Sequence, residues 1–213
     1  MPRKKEQYKH VHKPNTTEVL YCLSTMPYYS KVLAETYPEK VYNNFLRKLI
    51  ELNFLKDEKR RTTIKEVSIE LNEKADKITK WIYSIYEDIL ELLYNKPELF
   101  KTDGTLCTLT MSYFDSHCFI KIYLPFLPRK GDQFEFSFAK AKTGTYNYRV
   151  KSITHEINED KYEAVVTLSG DTGSNYGDWL LERALFQRKI SYRDVLEKSS
   201  FQLEDLLRKE YRS

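Results

Sequence analysis

Apolar and polar residues follow a helical period over the first hundred positions of the chain. Between residues 16 and 55, apolar residues recur every three or four positions, as on the buried face of an amphipathic helix. Pro27 and Pro38 interrupt this pattern, because proline lacks the amide hydrogen that a helix interior needs. The pattern predicts two short helices and then a longer one that starts at Pro38. The predicted core face of the longer helix is formed by Val41, Phe45, the aliphatic stem of Lys48, Leu49 and Leu52.

A further pair of helices is predicted from residue 63 onwards. Thr63 can cap the first of them, and Glu66, three residues later, completes a capping-box pattern. We expect the second helix to start near Asp76 and to run to about Asn95, because one apolar stripe continues through this whole segment. The stripe consists of Ile78, Trp81, Ile82, Ile85, Ile89, Leu92 and Leu93.

From residue 106 to residue 168 the period of the pattern changes to two. This is the period of a strand with one buried face. Turn signals divide the region into five short strands, and the first two are predicted to form a hairpin. Five short strands joined by hairpin links favour a small antiparallel β-barrel. The alternating positions lie at 107–113, 118–124, 134–138, 146–150 and 162–168.

The predicted fold class is α+β: an N-terminal helical domain, a small five-stranded antiparallel β-barrel and C-terminal helices. A glycine-rich stretch, residues 169–178, predicts a loop or hinge before the helical pattern returns. We expect four segments. They are a basic flexible arm at 1–15, a helical domain at 16–100, the barrel at 105–170 and a C-terminal helical tail at 171–213.

Composition narrows the class of protein without identifying a function. The net charge of +4 is too small to imply a nucleic-acid partner by itself. The three cysteines include no CxxC pair, which favours free thiols in a reducing cytoplasm. Residues 1–15 lack the apolar core of a signal peptide, and no apolar run approaches the ~18 residues that span a bilayer. We therefore expect a cytoplasmic protein with no membrane contact.

The segment from residue 63 to residue 82 has the features of two helices that cross at a tight turn. Four apolar residues stand at the core positions of such a pair: Val67, Leu71, Ile78 and Trp81. Ser68 is small where the helices would cross, and Asn72 stands where the turn needs a left-handed residue. The segment thus resembles the helix-turn-helix superfamily of DNA-binding regulators and recombination accessory proteins. Glu73 departs from the pattern of this superfamily, which has an apolar residue there.

The resemblance implies that residues 76–82 enter the major groove of duplex DNA. The implied function is a DNA-binding protein that is regulatory or associated with a phage or mobile element. Alternatively, the basic residues of the segment form the solvated face of a core helix bundle. The residues implied in DNA contact are Arg60, Arg61, Lys74, Lys77, Thr79 and Lys80.

A second basic group lies in the predicted barrel, which resembles small SH3-like and OB-like barrels at Gly131-Asp132. Small barrels that bind single-stranded nucleic acid combine basic residues with exposed aromatic rings, and Tyr146 with Lys142 could form such a contact. Alternation predicts that most rings face the core, so the turn at 140–145 is the better candidate. The possible second contact consists of Lys140, Lys142, Arg149 and Lys151.

Motifs of enzyme chemistry are missing from the sequence. It contains no phosphate-binding glycine loop, no nucleophile elbow and no HExxH zinc motif. His10 and His12 form an HxH pair without a third ligand nearby, so we expect no metal site there. We expect no catalytic activity and no cofactor.

The competing hypothesis for function is a non-enzymatic protein-assembly module. A structural or adaptor protein of a phage or mobile element would use the barrel and the helical tail to bind protein partners. The long helix after residue 76 extends beyond the few turns that DNA recognition needs. We therefore also expect a possible homodimer or protein partner to use that helix and the C-terminal tail.

Overall fold

The computed structural model describes residues 10–52, 63–158, 161–171 and 176–211. The architecture within these ranges is α+β, as predicted. The chain divides into two compact units, residues 1–170 and residues 171–213. None of the described helices is long and apolar enough to cross a membrane.

Helices precede the sheet in the described part of the first unit. Asn15 opens the first of them by accepting a hydrogen bond from the Glu18 amide at 2.9 Å, and Pro27 opens the second at its first position. The helices are α1 (Thr16–Thr25), α2 (Pro27–Thr36), α3 (Asn43–Glu51), α4 (Ile64–Leu71) and α5 (Ala75–Asn95).

The third helix is shorter than the sequence pattern predicts. It starts at Asn43, whose buried side-chain amide donates hydrogen bonds to the carbonyl oxygens of Ala34 and Tyr37 at 2.8 and 2.9 Å. These bonds tie the start of α3 to the end of α2, so the residues between them form turns. The prediction that Val41 and Leu52 belong to the core is wrong, because both lie outside α3 and Val41 is 83% exposed.

The long helix α5 confirms the predicted start and end of its segment. All residues of its predicted apolar stripe are buried except Trp81, which is partly buried. The Trp81 ring packs against the ring of Phe45 in α3, with centroids 5.1 Å apart. A 3₁₀ turn at Pro97–Phe100 follows the helix.

Five described strands form one mixed sheet. In chain order they are β1 (Thr105–Tyr113), β2 (Ser116–Leu124), β3 (Gln133–Glu135), β4 (Asn147–Asn158) and β5 (Lys161–Gly170). Their order across the sheet is β2-β1-β5-β4-β3. The predicted β1–β2 hairpin is confirmed, since the two strands pair antiparallel from end to end.

The prediction of a closed antiparallel barrel is wrong in two respects. Strands β1 and β5 pair in parallel, and the described strands form an open half-barrel with β2 and β3 at its edges. After β2 the chain crosses to the far edge, and the β4–β5 hairpin then returns to β1. Side chains alternate in the same way in parallel and antiparallel strands, so the sequence pattern does not distinguish the two arrangements.

The third strand is also shorter than predicted. It ends at Glu135, and a 3₁₀ turn at Ser137–Ala139 leads into a short helix, α6 (Lys140–Thr143). The Phe138 ring packs on the ring of Tyr86 in α5, and its carbonyl oxygen accepts a hydrogen bond from the Tyr86 hydroxyl at 2.6 Å. A buried hydroxyl needs such a partner, which the backbone of this turn supplies.

The N-terminal helices and the sheet share one hydrophobic core. Fully buried side chains from both parts contribute to it, for example Leu23 of α1, Ile85 of α5, Leu109 of β1 and Val166 of β5. The helices therefore cover one face of the sheet. The buried residues that alternate along β1, β2 and β5 lie on that face.

Part of the predicted N-terminal arm is attached to this unit. The His10 amide donates a hydrogen bond to the Asp115 carboxylate at 2.7 Å, and the Tyr83 hydroxyl donates one to the Pro14 carbonyl at 2.6 Å. Residues 10–15 thus contact both the β1–β2 turn and α5. The basic residues of the predicted arm at positions 3, 4, 5 and 9 lie outside the described residues.

The described part of the second unit is helical. Its helices are α7 (Tyr176–Phe186), α8 (Tyr192–Glu197) and α9 (Ser200–Tyr211). Arg188 follows α7 with φ +56, and Ser191 caps α8 in a capping box with Asp194. Among the described residues of this unit, the buried cluster consists of Leu180, Ala184, Ile190 and Leu207.

Two glycines of the first unit, Gly104 and Gly131, have a positive φ, which allows its backbone geometry to be tested. Gly104 (φ +138) precedes β1, and a Cβ added there would lie 2.2 Å from the Leu124 carbonyl oxygen. Gly131 (φ +93) has open space around it. We expect Gly131→Ala to lower the free energy of unfolding by about 1–2 kcal/mol through its φ alone. Gly104→Ala should cost about 1–3 kcal/mol more, because the carbonyl must move.

Urea denaturation of both variants measures this difference. Trp81 fluorescence in a Trp179→Phe background reports on the first unit alone, since the chain has 2 Trp. An equal loss of stability in the two variants would contradict the close approach of Gly104 to β2.

Candidate nucleic-acid interface

The helix pair α4–α5 is joined by a tight turn at residues 72–74. Asn72 adopts the left-handed conformation (φ 50, ψ 44), as predicted. The Glu73 amide donates to the Ser68 carbonyl at 3.2 Å, and the Ser68 hydroxyl donates to the Glu73 carbonyl at 2.6 Å. Ser68 therefore binds the turn through both its backbone and its side chain, which holds the start of α5 against the end of α4.

Buried apolar contacts between α4 and α5 fix the angle between the two helices. Val67 and Ile78 are fully buried, and Leu71 and Trp81 are partly buried against the same core. The four positions that carry the resemblance to helix-turn-helix proteins thus all face the core. The α4–α5 pair is part of the first unit rather than a separate module.

The predicted capping box at the start of α4 is confirmed. The Thr63 hydroxyl accepts a hydrogen bond from the Glu66 amide at 3.2 Å, and the Glu66 carboxylate accepts one from the Thr63 amide at 2.9 Å. Such a box satisfies two amides that a helix start otherwise leaves without partners.

The lysines of the pair lie at the exposed start of α5. Lys74 is the N-cap residue, and Lys77 and Lys80 follow at intervals of three, which places them side by side on the helix surface. Thr79 is partly buried and lies across the helix from Lys77, since successive residues are about 100° apart. The structure therefore groups the three lysines but not Thr79.

Lys77 also belongs to a row of side chains at intervals of four. Its Nζ lies 3.0 Å from a carboxylate oxygen of Glu73 and 4.4 Å from the centre of the Trp81 ring. Glu73, which departs from the helix-turn-helix pattern, is thus the ionic partner of a candidate DNA contact. The row was missed in the sequence, although a spacing of four between a carboxylate, a cation and a ring could have indicated it.

The charges of the segment balance. Between residues 63 and 82 there are four lysines and four acidic residues, so any positive potential is confined to the start of α5. Asp76 is exposed next to Lys77. Arg60 and Arg61, the predicted contacts to the flanking DNA backbone, lie outside the described residues.

The second basic group has a different environment from the predicted one. Lys140 and Lys142 stand in helix α6 rather than in an exposed hairpin turn. The Lys140 Nζ lies 3.9 Å from a Glu18 carboxylate oxygen and 5.7 Å from the centres of the Tyr21 and Tyr146 rings. Lys140 is therefore held by groups of α1 and by the residue before β4.

The remaining members of this group lie in two places. The Lys142 Nζ is 2.7 Å from a Glu87 carboxylate oxygen of α5. Arg149, in β4, donates a hydrogen bond to the Gly131 carbonyl at 3.0 Å, and Lys151 lies at the β-bulge that follows Val150. Two of the four cations thus pair with helices, and the other two belong to the sheet.

Burial makes the thiols of the first unit weak acids. It raises the pKa of Cys22 and of Cys118 to about 12 and that of Cys107 to about 11. All three stay protonated at neutral pH and are free rather than disulfide-bonded. Within the described ranges, no group of three or more His, Cys, Asp or Glu residues is arranged to hold a metal ion.

Comparison of the chain with protein-family models, with curated proteins and with solved structures found no match. The function of the helix pair is therefore inferred from its own geometry. Three features carry this inference: the left-handed turn, the buried contact beneath it and the lysines at the exposed start of α5.

The left-handed conformation of Asn72 leads to a prediction about the stability of the protein. Asn72→Gly should keep or raise the free energy of unfolding, because glycine adopts positive φ without strain. Asn72→Val should lower it by about 1–2 kcal/mol, because a Cβ disfavours this conformation. The control is Glu70→Val at an exposed position of α4, where helix propensity costs less than about 0.7 kcal/mol. Urea denaturation measures all three, and equal losses for the two valine variants would exclude a left-handed turn at residue 72.

Proposed function

We propose that the protein binds duplex DNA through α4 and α5, with the first turns of α5 entering the major groove. The observation that carries this proposal is the exposed group of Lys74, Lys77 and Lys80 at the start of a helix that a left-handed turn sets against α4. In helix-turn-helix proteins, the first helix of the pair crosses the DNA backbone and the start of the second meets the bases.

Two electrostatic effects favour phosphate at this end of α5. The start of a helix carries a partial positive charge and amides without helical partners, and Lys74 stands directly at this position. Lys80 lies on the side of α5 that faces away from its buried stripe. Asp76 lies between these cations, and its carboxylate can accept a hydrogen bond from a cytosine amino group in the groove.

Lys77 can exchange its partner when DNA binds. Its ion pair with Glu73 is exposed to solvent, and such pairs contribute only about 0.2–1 kcal/mol to stability. A phosphate that approaches Lys77 therefore competes with a weak interaction. In this proposal Glu73 lowers the affinity for DNA without preventing binding.

The proposed context is a regulatory protein, or a protein of a phage or mobile element, in the cytoplasm. The free cysteines favour a reducing compartment, because disulfides form and persist in oxidising environments. The proposal assigns no enzymatic activity and no cofactor. Sequence preference would come from the few side chains of α5 that reach base edges.

A second candidate function, the protein-assembly module, is favoured by the edge of the sheet. Strand β2 pairs with β1 alone among the described strands, and its Phe119 side chain is exposed. A long edge strand can take up an extended segment of a partner protein as an additional strand. In that case the α4–α5 pair is part of the scaffold, and DNA binding should be absent even at low salt.

The proposed function predicts a specific salt dependence. A variant with Lys74→Ala, Lys77→Ala and Lys80→Ala should bind a labelled random duplex much more weakly than the wild type in fluorescence anisotropy. The slope of log K against log salt should be about 3 units shallower, because each lost phosphate contact removes about 1 from it. Titrations at several salt concentrations give this slope.

The matched control removes three exposed lysines elsewhere, with Lys31→Ala, Lys101→Ala and Lys209→Ala. It lowers the net charge equally and should bind DNA nearly as the wild type does. If both triple variants lose the same affinity, attraction is due to overall charge and the helix pair has no special role. If the wild type does not bind at low salt, the assembly function is favoured.

Removing the charge of Glu73 should increase the affinity for DNA, whereas removing the lysines should decrease it. Glu73→Gln frees Lys77 and should strengthen DNA binding by up to about 5-fold, the equivalent of a surface ion pair. The control is Glu91→Gln, which removes an exposed charge of α5 far from the turn and should have a smaller effect. An unchanged or weaker affinity of Glu73→Gln would exclude Lys77 as a DNA contact.

A further inference from the structure

Helix α7 of the second unit has two apolar faces. One face is buried in the unit and includes Leu180 and Ala184. The other face is exposed to solvent and carries three aromatic rings, with Tyr176 62%, Trp179 50% and Phe186 89% exposed. Large rings grouped on one exposed helix face typically mark an interaction surface.

The exposed rings lie on one stripe together with Arg183. The four positions are separated by three, four and three residues, which is the spacing of the contact positions where two helices pack side by side. The stripe is ordered by its own contacts, since the Tyr176 and Trp179 ring centres are 5.7 Å apart. The Arg183 guanidinium lies 5.3 Å from the centre of the Trp179 ring.

The stripe is complementary to itself in the antiparallel direction. When two copies of α7 pack antiparallel through this stripe, with the two-fold axis level with residue 181, Tyr176 of each copy meets Phe186 of the other. Trp179 then meets Arg183 of the other copy, which extends the cation–π contact across the interface. A parallel arrangement would instead place Arg183 against Arg183, where like charges repel.

We propose that the partner of this face is a second copy of the chain, bound through an antiparallel α7–α7 contact. An interface with a two-fold axis uses the same surface patch on both copies, and each ring contact of α7 occurs twice. At roughly 200 Å² for each fully buried ring, the stripes and their flanking side chains bury about 1,000 Å² in total. This area is the lower limit of specific interfaces, so the dimer is weak.

The small core of the second unit supports a second copy as the partner. Among its described residues the buried cluster is small, and small units commonly gain stability by association. The contact adds three rings per copy to the buried surface of the unit. The inference uses the second unit alone and does not depend on DNA binding.

The experiment measures the mass of the full chain by analytical ultracentrifugation over a range of concentrations, without DNA. We expect a reversible increase from the 25.5 kDa of one chain to twice that mass. Tyr176→Lys and Phe186→Glu should each raise the dissociation constant on the order of 100-fold, because each change removes two ring contacts. Both side chains are exposed, so the fold of the unit should survive, which circular dichroism checks.

The variant that combines Tyr176→Lys with Phe186→Glu tests the direction of packing. In the antiparallel contact the two introduced charges are of opposite sign and meet twice, so the combined variant should dimerise up to about 30-fold more tightly than the two single effects together predict. In a parallel contact like charges would meet, and it should stay monomeric. The control combines Tyr192→Lys with Leu196→Glu on exposed positions of α8 and should dimerise as the wild type does.

Three results would overturn the inference. A wild-type chain that stays at the mass of one copy at high concentration excludes the dimer. A dimer that Phe186→Glu leaves unchanged uses another surface. A combined variant that dimerises no more tightly than the two single effects together predict excludes the antiparallel register. Because the lysines at the start of α5 are intact throughout, failure here is separable from failure of DNA binding.

Discussion

The burial of one face of α5 is the constraint on which the first unit depends. Its apolar stripe packs against α4 at the start of the helix and against α1, α2 and β2 further along. The Tyr86 hydroxyl adds a directional bond to the Phe138 carbonyl, which fixes the segment between β3 and β4. A single helix thus positions the turn at Asn72 and the sheet at once, so the exposed lysines at its start stand on a rigid base.

Periodicity allowed the elements that have one buried face to be predicted. Helix α5 and the β1–β2 hairpin follow from their patterns, and the left-handed Asn72 follows from turn chemistry. The pairing of β1 with β5 does not, because side-chain alternation carries no information about strand direction. Val41 looked like a core residue by spacing, but the hydrogen bonds of Asn43 to the end of α2 start α3 after it.

The sequence allowed the lysines of the candidate interface to be predicted, but not the ion pairs and ring contacts that these lysines form. The ion pair between Glu73 and Lys77 and the position of Trp81 beneath it depend on the geometry of the turn. Likewise, Lys140 and Lys142 were expected on an open turn, but α6 brings them to Glu18 and Glu87. In both places an acidic partner decides whether a lysine is available to bind DNA. Glu18 and Glu87 are distant in sequence from their lysines, and Glu73 was overlooked as the partner of Lys77.

The proposed dimer supports the proposed DNA binding, because a dimer carries two DNA-binding helix pairs. One helix pair with three exposed lysines and a balanced total charge releases few counterions, so a single copy should bind DNA weakly and with a shallow salt dependence. Two copies joined through α7 carry two such helix pairs, and the second contact then forms at a high effective concentration. A two-fold dimer also favours a palindromic target. If both proposals hold, the second contact of the dimer offsets the modest charge of each helix pair.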